Sequence, residues 1–362
     1  MKTQPVFLIG FGGVGRALAR QIVAARHLHD HRCGLRLELV GIADSRGAVT
    51  APNGLSDEAI LALDAQKATA GAFEHYLAPH PPELDPFVAT HIPGDVILVD
   101  TTASEAAVPI LRRAARQAGG GVVTANKLPL AGPLEWWDDI TGGRARWETT
   151  CGSALPVIST LNTLLNSNDE VLKIEGSLSG TLAYLSAQLE AGRPFGEAVR
   201  EAKARGYTEP DPRQDLAGRD AARKALILAR MLGYRIGMEE VAIEPLYPAS
   251  MDGLSVEEFL REVDSLDASM AARAAELTRG GRKLRYAALI ENGHCGVGLA
   301  GAEPDSKLGL IRATDSVVVF TTKYFSDNPV SVSGRGAGQE VTASGVLGDI
   351  VSLAAATPGL SP

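Results

Sequence analysis

Apolar positions along this chain follow one rhythm up to about residue 133 and another beyond it. In the first stretch, short apolar runs at Val6–Ile9, Leu37–Ala43, Val96–Asp100 and Gly121–Thr124 alternate with segments of helical spacing at Val14–Ala25 and Ser104–Gln117. Runs of four to seven apolar residues separated by amphipathic helices predict a parallel sheet with crossover helices. Beyond Pro133, strands at Arg146–Thr149, Val171–Ser177, Leu284–Glu291, Cys295–Ala302 and Ser316–Tyr324 mix with several helices, which predicts an open mixed sheet. Between Gly218 and Tyr234, Ala221, Ala225, Leu228, Ala229 and Leu232 recur at helical spacing. Ser255-Val-Glu-Glu258 has the form of a capping box, and an apolar helix is expected over Val341–Ala356. The proline-rich interval Ala78–Gly94 is expected to be a surface loop.

At 362 residues the chain exceeds what one core normally serves. A nucleotide-binding domain is expected over residues 1–133, completed by about 330–362, with residues 134–329 forming a substrate-binding and dimerisation region. Composition adds exclusions. A net charge of −8 without a basic stripe argues against nucleic acid. No apolar window is long enough to span a membrane. Three widely spaced cysteines suit neither a disulfide framework nor zinc, and with no signal-peptide pattern they point to the cytoplasm.

The first chemical motif is Gly10-Phe-Gly12-Gly13-Val14-Gly15, placed after the strand VFLI and opening a helix. In that setting the first glycine permits the tight turn, the second lets backbone approach a pyrophosphate, and the third lets helix and strand pack closely. The fold class is therefore α/β, a Rossmann-type doubly wound parallel sheet joined to a mixed α/β region. Asp44 ends the second strand, where an acid would bond a ribose 2′-hydroxyl and repel a 2′-phosphate. The cofactor is accordingly NAD(P) with the balance toward NAD, although Gly15 and Asp44 stand further apart than the usual spacing and Arg46 lies close by. Asp100-Thr101-Thr102 ends another strand on the side where such sheets meet their ligands.

The second motif is Gly206 to Lys224, GYTEPDPRQDLAGRDAARK. Asp220 and Lys224 lie four residues apart on the predicted helix and project from one face. Glu209-Pro-Asp-Pro212 is expected to be extended, because each proline pushes its predecessor out of the α region. A further lysine, Lys127, follows the strand in Thr124-Ala-Asn-Lys127. Taken singly, such lysines and ion pairs are usually solvated surface groups; together with the glycine fingerprint they describe a site.

In chain order, GFGGVG, VTANK, ETTCGSALP, GSLSGTLAYL, GYTEPDPRQDLAGRDAARK and GAGQEVTASGVLGDI resemble the homoserine dehydrogenase family across nearly the whole sequence. The resemblance implies NAD(P)-linked interconversion of L-homoserine and L-aspartate 4-semialdehyde, on the route from aspartate to threonine and methionine. It implies that Lys224 is the proton donor and acceptor, with Asp220 as substrate-binding acid and Lys127 between cofactor and substrate. Gly206, Glu209 and Asp215 fall in the substrate pocket, and Thr102 and Gly338 on cofactor contacts. Glu148 with the carbonyls of Cys151, Ser153 and Leu155 matches a sodium-type monovalent cation site, and a homodimer is expected. The sequence stops shortly after its last helix, so a short form without a C-terminal regulatory module is expected.

The chemistry is consistent with these roles. Hydride cannot leave a primary carbinol carbon readily unless the hydroxyl proton is also removed, and a lysine can take it only if its ordinary pKa of about 10.4 moves toward neutrality. A neighbouring cation such as Lys127 pushes in that direction and Asp220 against it. Three other readings compete, one of them an oxidoreductase for a different small amino-acid alcohol. An acylating aldehyde dehydrogenase would use Cys151 as nucleophile, yet none of the seven histidines accompanies it in sequence. A non-catalytic nucleotide sensor would have no need of Lys127, Asp220 and Lys224 together.

Overall fold

A computed structural model describes residues 2–71, 73, 78–79, 94–117, 120–312 and 315–355. The chain divides into two compact units, Met1–Ala154 with Ala337–Pro362, and Leu155–Gly336. No helix among the described residues is long and apolar enough to cross a membrane.

The first unit is built on a seven-stranded sheet in the order β4-β3-β2-β1-β5-β6-β7. Its strands are β1 Lys2–Ile9, β2 Leu35–Asp44, β3 Gly47–Thr50, β4 Ala78–Pro79, β5 Ile97–Asp100, β6 Gly121–Thr124 and β7 Ala145–Arg146. From β2 through β1, β5 and β6 to β7 all pairings are parallel, while β3 and β4 extend the edge antiparallel. Parallel strands covered on both faces require near-continuous apolar runs, and β5 and β6 are buried at every residue. The helix Gly13–Ala24 crosses over from β1, and the helix Gln339–Ala355 returns to pack beside it. Leu18 and Ile22 from the first and Val346, Ile350 and Leu353 from the second share one core with Val6, Leu8 and Val99 of the sheet.

Several expectations are adjusted. The long interval between Gly15 and Asp44 holds an extra helix, Arg26–Cys33, closed by a left-handed Gly34, so the chain reaches β2 late without altering the sheet. The segment Arg146–Thr149 is not one strand: β7 ends at Arg146 and a 3₁₀ turn spans Glu148–Thr150. Ser104–Gln117 is a 3₁₀ turn, Glu105–Ala107, followed by the helix Val108–Ala115. Of the expected loop Ala78–Gly94, Ala78 and Pro79 form β4, and residues 80–93 lie outside the described residues, as does Ala356 at the end of the last helix.

The second unit carries a six-stranded mixed sheet, order β13-β12-β8-β10-β11-β9. Its strands are β8 Val171–Ser177, β9 Ala242–Ile243, β10 Lys283–Glu291, β11 His294–Ala302, β12 Ser316–Thr322 and β13 Val330–Gly334. Every pairing is antiparallel except β11 with β9. The helix Arg219–Met231 lies on β10 and β11 and buries Ala221, Ala225, Leu226 and Leu228. The helix Val256–Glu262 opens with the expected box: Glu258 N–H donates to Ser255 Oγ (3.2 Å) and Ser255 N–H to Glu258 Oε2 (2.8 Å).

Candidate functional site

In the first unit, the carboxyl ends of β1, β2 and β5 open into a cavity of about 730 Å³ lined by Gly10, Gly12, Asp44, Lys67, Thr101 and Thr102, among others. Gly10 has φ +95°, a conformation L side chains rarely adopt, and a Cβ there would press on Thr101 and Thr102. A Cβ on Gly15 would overlap the Gly10 carbonyl oxygen, so helix and strand can meet this closely only over glycine. Around Gly12 the space is open. The helix that begins at Gly13, next to the cavity-lining Gly12, has no acidic residue in its first turn to offset the partial positive charge of its free N–H groups. An arrangement of this kind has the donors to receive a phosphate.

Beneath Thr102 lies a buried network. Asp100 is fully enclosed; its Oδ1 accepts from Thr102 N–H (2.9 Å) and its Oδ2 from Asn126 Nδ2 (3.1 Å). Burial pushes the Asp100 carboxyl above its ordinary range, against the pull of those hydrogen bonds. Asn126 also donates to the Ser104 carbonyl (2.8 Å), and so ties the end of β5 to the turn that presents Lys127. Lys127, half-buried, is the first residue of the turn into a short helix, Leu128–Ala131, and its carbonyl accepts from Ala131 N–H (2.8 Å). Asn126 stands inside the VTANK motif, but its role comes from tertiary contacts with residues more than twenty positions away.

Asp44 ends β2 and is already engaged by neighbours. Its side chain is 5% exposed, Lys67 Nζ donates to Oδ2 (2.5 Å), and the Arg46 N–H donates to Oδ1 (2.8 Å). Lys67 comes from the helix Asp57–Ala70 and was not singled out by sequence, because only the fold brings it to β2.

The turn after β7 holds Glu148, Cys151 and Ser153. Glu148 N–H donates to Asp349 Oδ2 (2.8 Å), and burial raises the Asp349 carboxyl to about 7, with the Glu148 charge adding to the rise. Cys151 is buried with its Sγ 3.8 Å from the Thr150 hydroxyl. Ser153 takes φ +57° and bonds Thr342 through its hydroxyl (2.8 Å). No group of three or more His, Cys, Asp or Glu among the described residues converges on a metal position. The donors this turn offers are one carboxylate and backbone carbonyls, a hard oxygen set suited to a weakly held cation. Leu155, the first residue of the second unit, gives its carbonyl to Val157 N–H (2.7 Å).

In the second unit, Asp220 and Lys224 sit one turn apart and form the expected pair, Nζ to Oδ2 2.8 Å. Lys224 is the enclosed partner, its side chain 15% exposed against 47% for Asp220, and its Nζ also donates to the Leu178 carbonyl just past β8 (2.7 Å). Gly218, at φ +70°, joins the short helix Arg213–Leu216 to this one, and a Cβ there would overlap the Tyr286 hydroxyl. Gly206, at φ +69°, ends the helix Phe195–Ala204 in a Schellman turn: Tyr207 N–H bonds the Ala202 carbonyl (2.9 Å) and Gly206 N–H that of Lys203 (3.0 Å). The chain then bends at Thr208, Pro210 and Asp211 instead of running extended, because Pro212 starts the next helix. The bends bring Glu209 N–H to Asp215 Oδ2 (2.8 Å), while Thr181 Oγ1 faces Asp215 Oδ1 (3.3 Å). Burial raises the Asp215 carboxyl, and the charges of Glu209 and Asp220 raise it further. Asp215 thus feels two further carboxylates, Glu209 and Asp220, the latter paired with Lys224, and such a group of acids has the charge to receive an ammonium group. Thr181 was not singled out by sequence; it lies in the GSLSGTLAYL motif.

Comparisons with known proteins bear on the whole chain. The family model for homoserine dehydrogenase matches residues 156–351. The homoserine dehydrogenase of Emericella nidulans is 33% identical, with 96% of this chain and 98% of that protein covered. A bifunctional aspartokinase/homoserine dehydrogenase of Zea mays is also 33% identical over 97% of this chain. The chain spans only about two fifths of the length of such bifunctional relatives (38% of the Zea mays protein). Among solved structures, a Candida auris protein of unknown function is similar, with a TM-score of 0.85, 30% identity and 99% of both chains covered. A hyperthermophilic archaeal homoserine dehydrogenase in complex with NADPH shares the fold, with a TM-score of 0.75 at 24% identity over 99% of this chain and 100% of that one.

Proposed function

Because the chain belongs to the homoserine dehydrogenase family, we propose that it interconverts L-homoserine and L-aspartate 4-semialdehyde with a nicotinamide dinucleotide, in the supply of threonine and methionine. The observation that carries this reading is Lys224, an enclosed lysine aimed by Asp220 and the Leu178 carbonyl.

Each residue then has a task. In the reductive direction Lys224, as an ammonium, gives its proton to the aldehyde oxygen as that oxygen gains charge. In the oxidative direction the amine takes the hydroxyl proton, without which hydride does not leave carbon. Asp220 restrains the lysine side chain so that little rotamer freedom is lost at the moment of transfer. Glu209 and Asp215 hold the substrate ammonium, in the bend that Gly206 makes possible. Lys127, positioned by Asn126, supplies positive charge at the end of β6. Bound dinucleotide would lie over Gly10, Gly12, Gly13, Val14 and Gly15, with Thr102 and Gly338 as further contacts, and supplies the hydride acceptor or donor.

The finer assignments follow from the same premise. Asp44 favours the 2′-hydroxyl of NAD, and Lys67 and Arg46 moderate that preference by offering cations to a 2′-phosphate. Glu148 and the carbonyls of Cys151 and Ser153 hold a sodium-type cation, a role supported by the Asp349 carboxyl beside Glu148, whose mutual repulsion a cation relieves. A homodimer fits the edge position of β13, and a cytoplasmic setting fits three cysteines that form no disulfide.

The test is steady-state oxidation of L-homoserine with NAD⁺ and NADP⁺ in parallel, for the unaltered chain and Lys224→Ala. Turnover that falls by about 10² to 10⁴ in the variant while dinucleotide binding persists supports both reaction and residue. Absence of turnover with either cofactor, in either direction and with or without sodium or potassium, removes the assignment.

A further inference from the structure

We propose that Gln339 belongs to the dinucleotide site, its side-chain amide donating to the second phosphate of the diphosphate; this rests on the cofactor reading above. The glycine fingerprint requires glycine at positions 10, 12 and 15, yet this chain has a fourth at 13. Gly13 begins a helix and has no positive φ, so its backbone does not demand glycine. The demand is steric and comes from the other end of the sequence: a Cβ at Gly13 would overlap the Gln339 carboxamide. The amide therefore lies directly on the phosphate-binding turn. Its neighbour Gly12 has open space around it and lines the cavity.

The placement is held by other contacts. Arg20 Nη2 pairs with Glu340 Oε1 (2.5 Å), Gln21 Nε2 donates to Glu340 Oε2 (3.0 Å) and to the Glu340 carbonyl (3.0 Å), and Thr342 N–H bonds the Gly338 carbonyl (2.8 Å). These bonds fasten the first turn of Gln339–Ala355 to Gly13–Ala24, and Arg20 is shared between Glu340 and Asp64 (2.9 Å). The Gln339 carboxamide itself has no hydrogen-bond partner among the described residues. An exposed neutral donor, carried on a fastened helix turn and lying against Gly13 beside the N-terminus of a helix without first-turn acids, has the chemistry to bind a phosphate oxygen.

The experiment compares ADP-ribose with AMP, which lacks the second phosphate, as competitors of NADH fluorescence in the unaltered chain, Gln339→Ala and Gln339→Glu. The expected result is about tenfold weaker ADP-ribose binding in Gln339→Ala, AMP changed less than twofold, and a larger loss for ADP-ribose in Gln339→Glu, where a carboxylate meets the anion. Thermal unfolding of each variant shows that the fold is kept. Unchanged ADP-ribose affinity in Gln339→Ala overturns the proposal, and so does an equal loss for both ligands, which marks a structural disturbance. An unaltered chain that binds no ADP-ribose overturns it together with the cofactor reading. One that binds ADP-ribose but never oxidises homoserine removes the reaction alone.

Discussion

Asp215 is the carboxyl whose surroundings say most about substrate binding. Burial and the charges of Glu209 and Asp220 all raise its pKa, so in the free protein it keeps its proton to a higher pH than an ordinary aspartate. On the proposed function, the substrate ammonium is held by the ionised form. Affinity is therefore lost as pH falls through the raised value and restored as pH climbs above it. The expected pH profile of kcat/KM for homoserine has an acid limb set by Asp215. Glu209→Gln removes one of the raising charges, so that limb moves to lower pH even as KM rises from the lost contact. A limb that stays in place in Glu209→Gln, or moves upward, contradicts the assignment. A second residue-scale prediction concerns Asp44 and Lys67, in contact at 2.5 Å, which on the proposed function set cofactor choice as a pair. Lys67→Ala is expected to lower kcat/KM for NADP⁺ by about tenfold with a smaller effect on NAD⁺, and Asp44→Ala to shift the ratio toward NADP⁺, as measured with both cofactors at fixed salt.

At the scale of elements, the helix Arg219–Met231 shows what sequence conveys and what it leaves out. The spacing of its alanines and leucines, and the Asp220–Lys224 pair on one face, are local properties of a 3.6-residue repeat and could be read directly. So could the capping box at Ser255, since both of its hydrogen bonds lie within three residues. Gly218 could not be understood that way, because the hydroxyl that excludes a side chain there comes from Tyr286, on β10. The same holds for Lys67 at Asp44 and Asn126 at Asp100, pairs made by the stacking of strands and helices. The bends from Thr208 to Asp211 went unforeseen for another reason: the proline rule constrains the residue before each proline but not the direction the chain takes after it. Gly218→Ala combines a positive φ with a steric overlap and should destabilise the second unit by about 1–3 kcal/mol in urea unfolding. In a Tyr286→Phe background, with the hydroxyl gone, the added cost of Gly218→Ala should shrink, leaving mainly the backbone strain. Equal costs in both backgrounds would refute the steric account.

For the whole molecule, the unit that carries the glycine fingerprint is discontinuous: its last helix enters the chain only after the 182 residues of Leu155–Gly336. That helix buries Val346, Leu347, Ile350 and Leu353 in the same core as β1 and the helix Gly13–Ala24. At about 1.5–3 kcal/mol for each large apolar side chain, their removal withdraws roughly 6–12 kcal/mol, as much as the net stability of a typical domain. A chain ended after Gly336 should therefore fail to fold its first unit, and should lose dinucleotide affinity along with it. The segment Leu155–Gly336 is continuous and has its own sheet, so it should keep cooperative unfolding and protection from limited proteolysis within that truncated chain. A truncated chain that binds NADH with unaltered affinity would show that the sheet and the glycine turn form without the returning helix. Loss of protection across both units would show instead that the second depends on the first for its fold. The expected outcome, one unit lost and the other kept, makes dinucleotide binding depend on the last turns of the sequence as much as on the first fifteen residues.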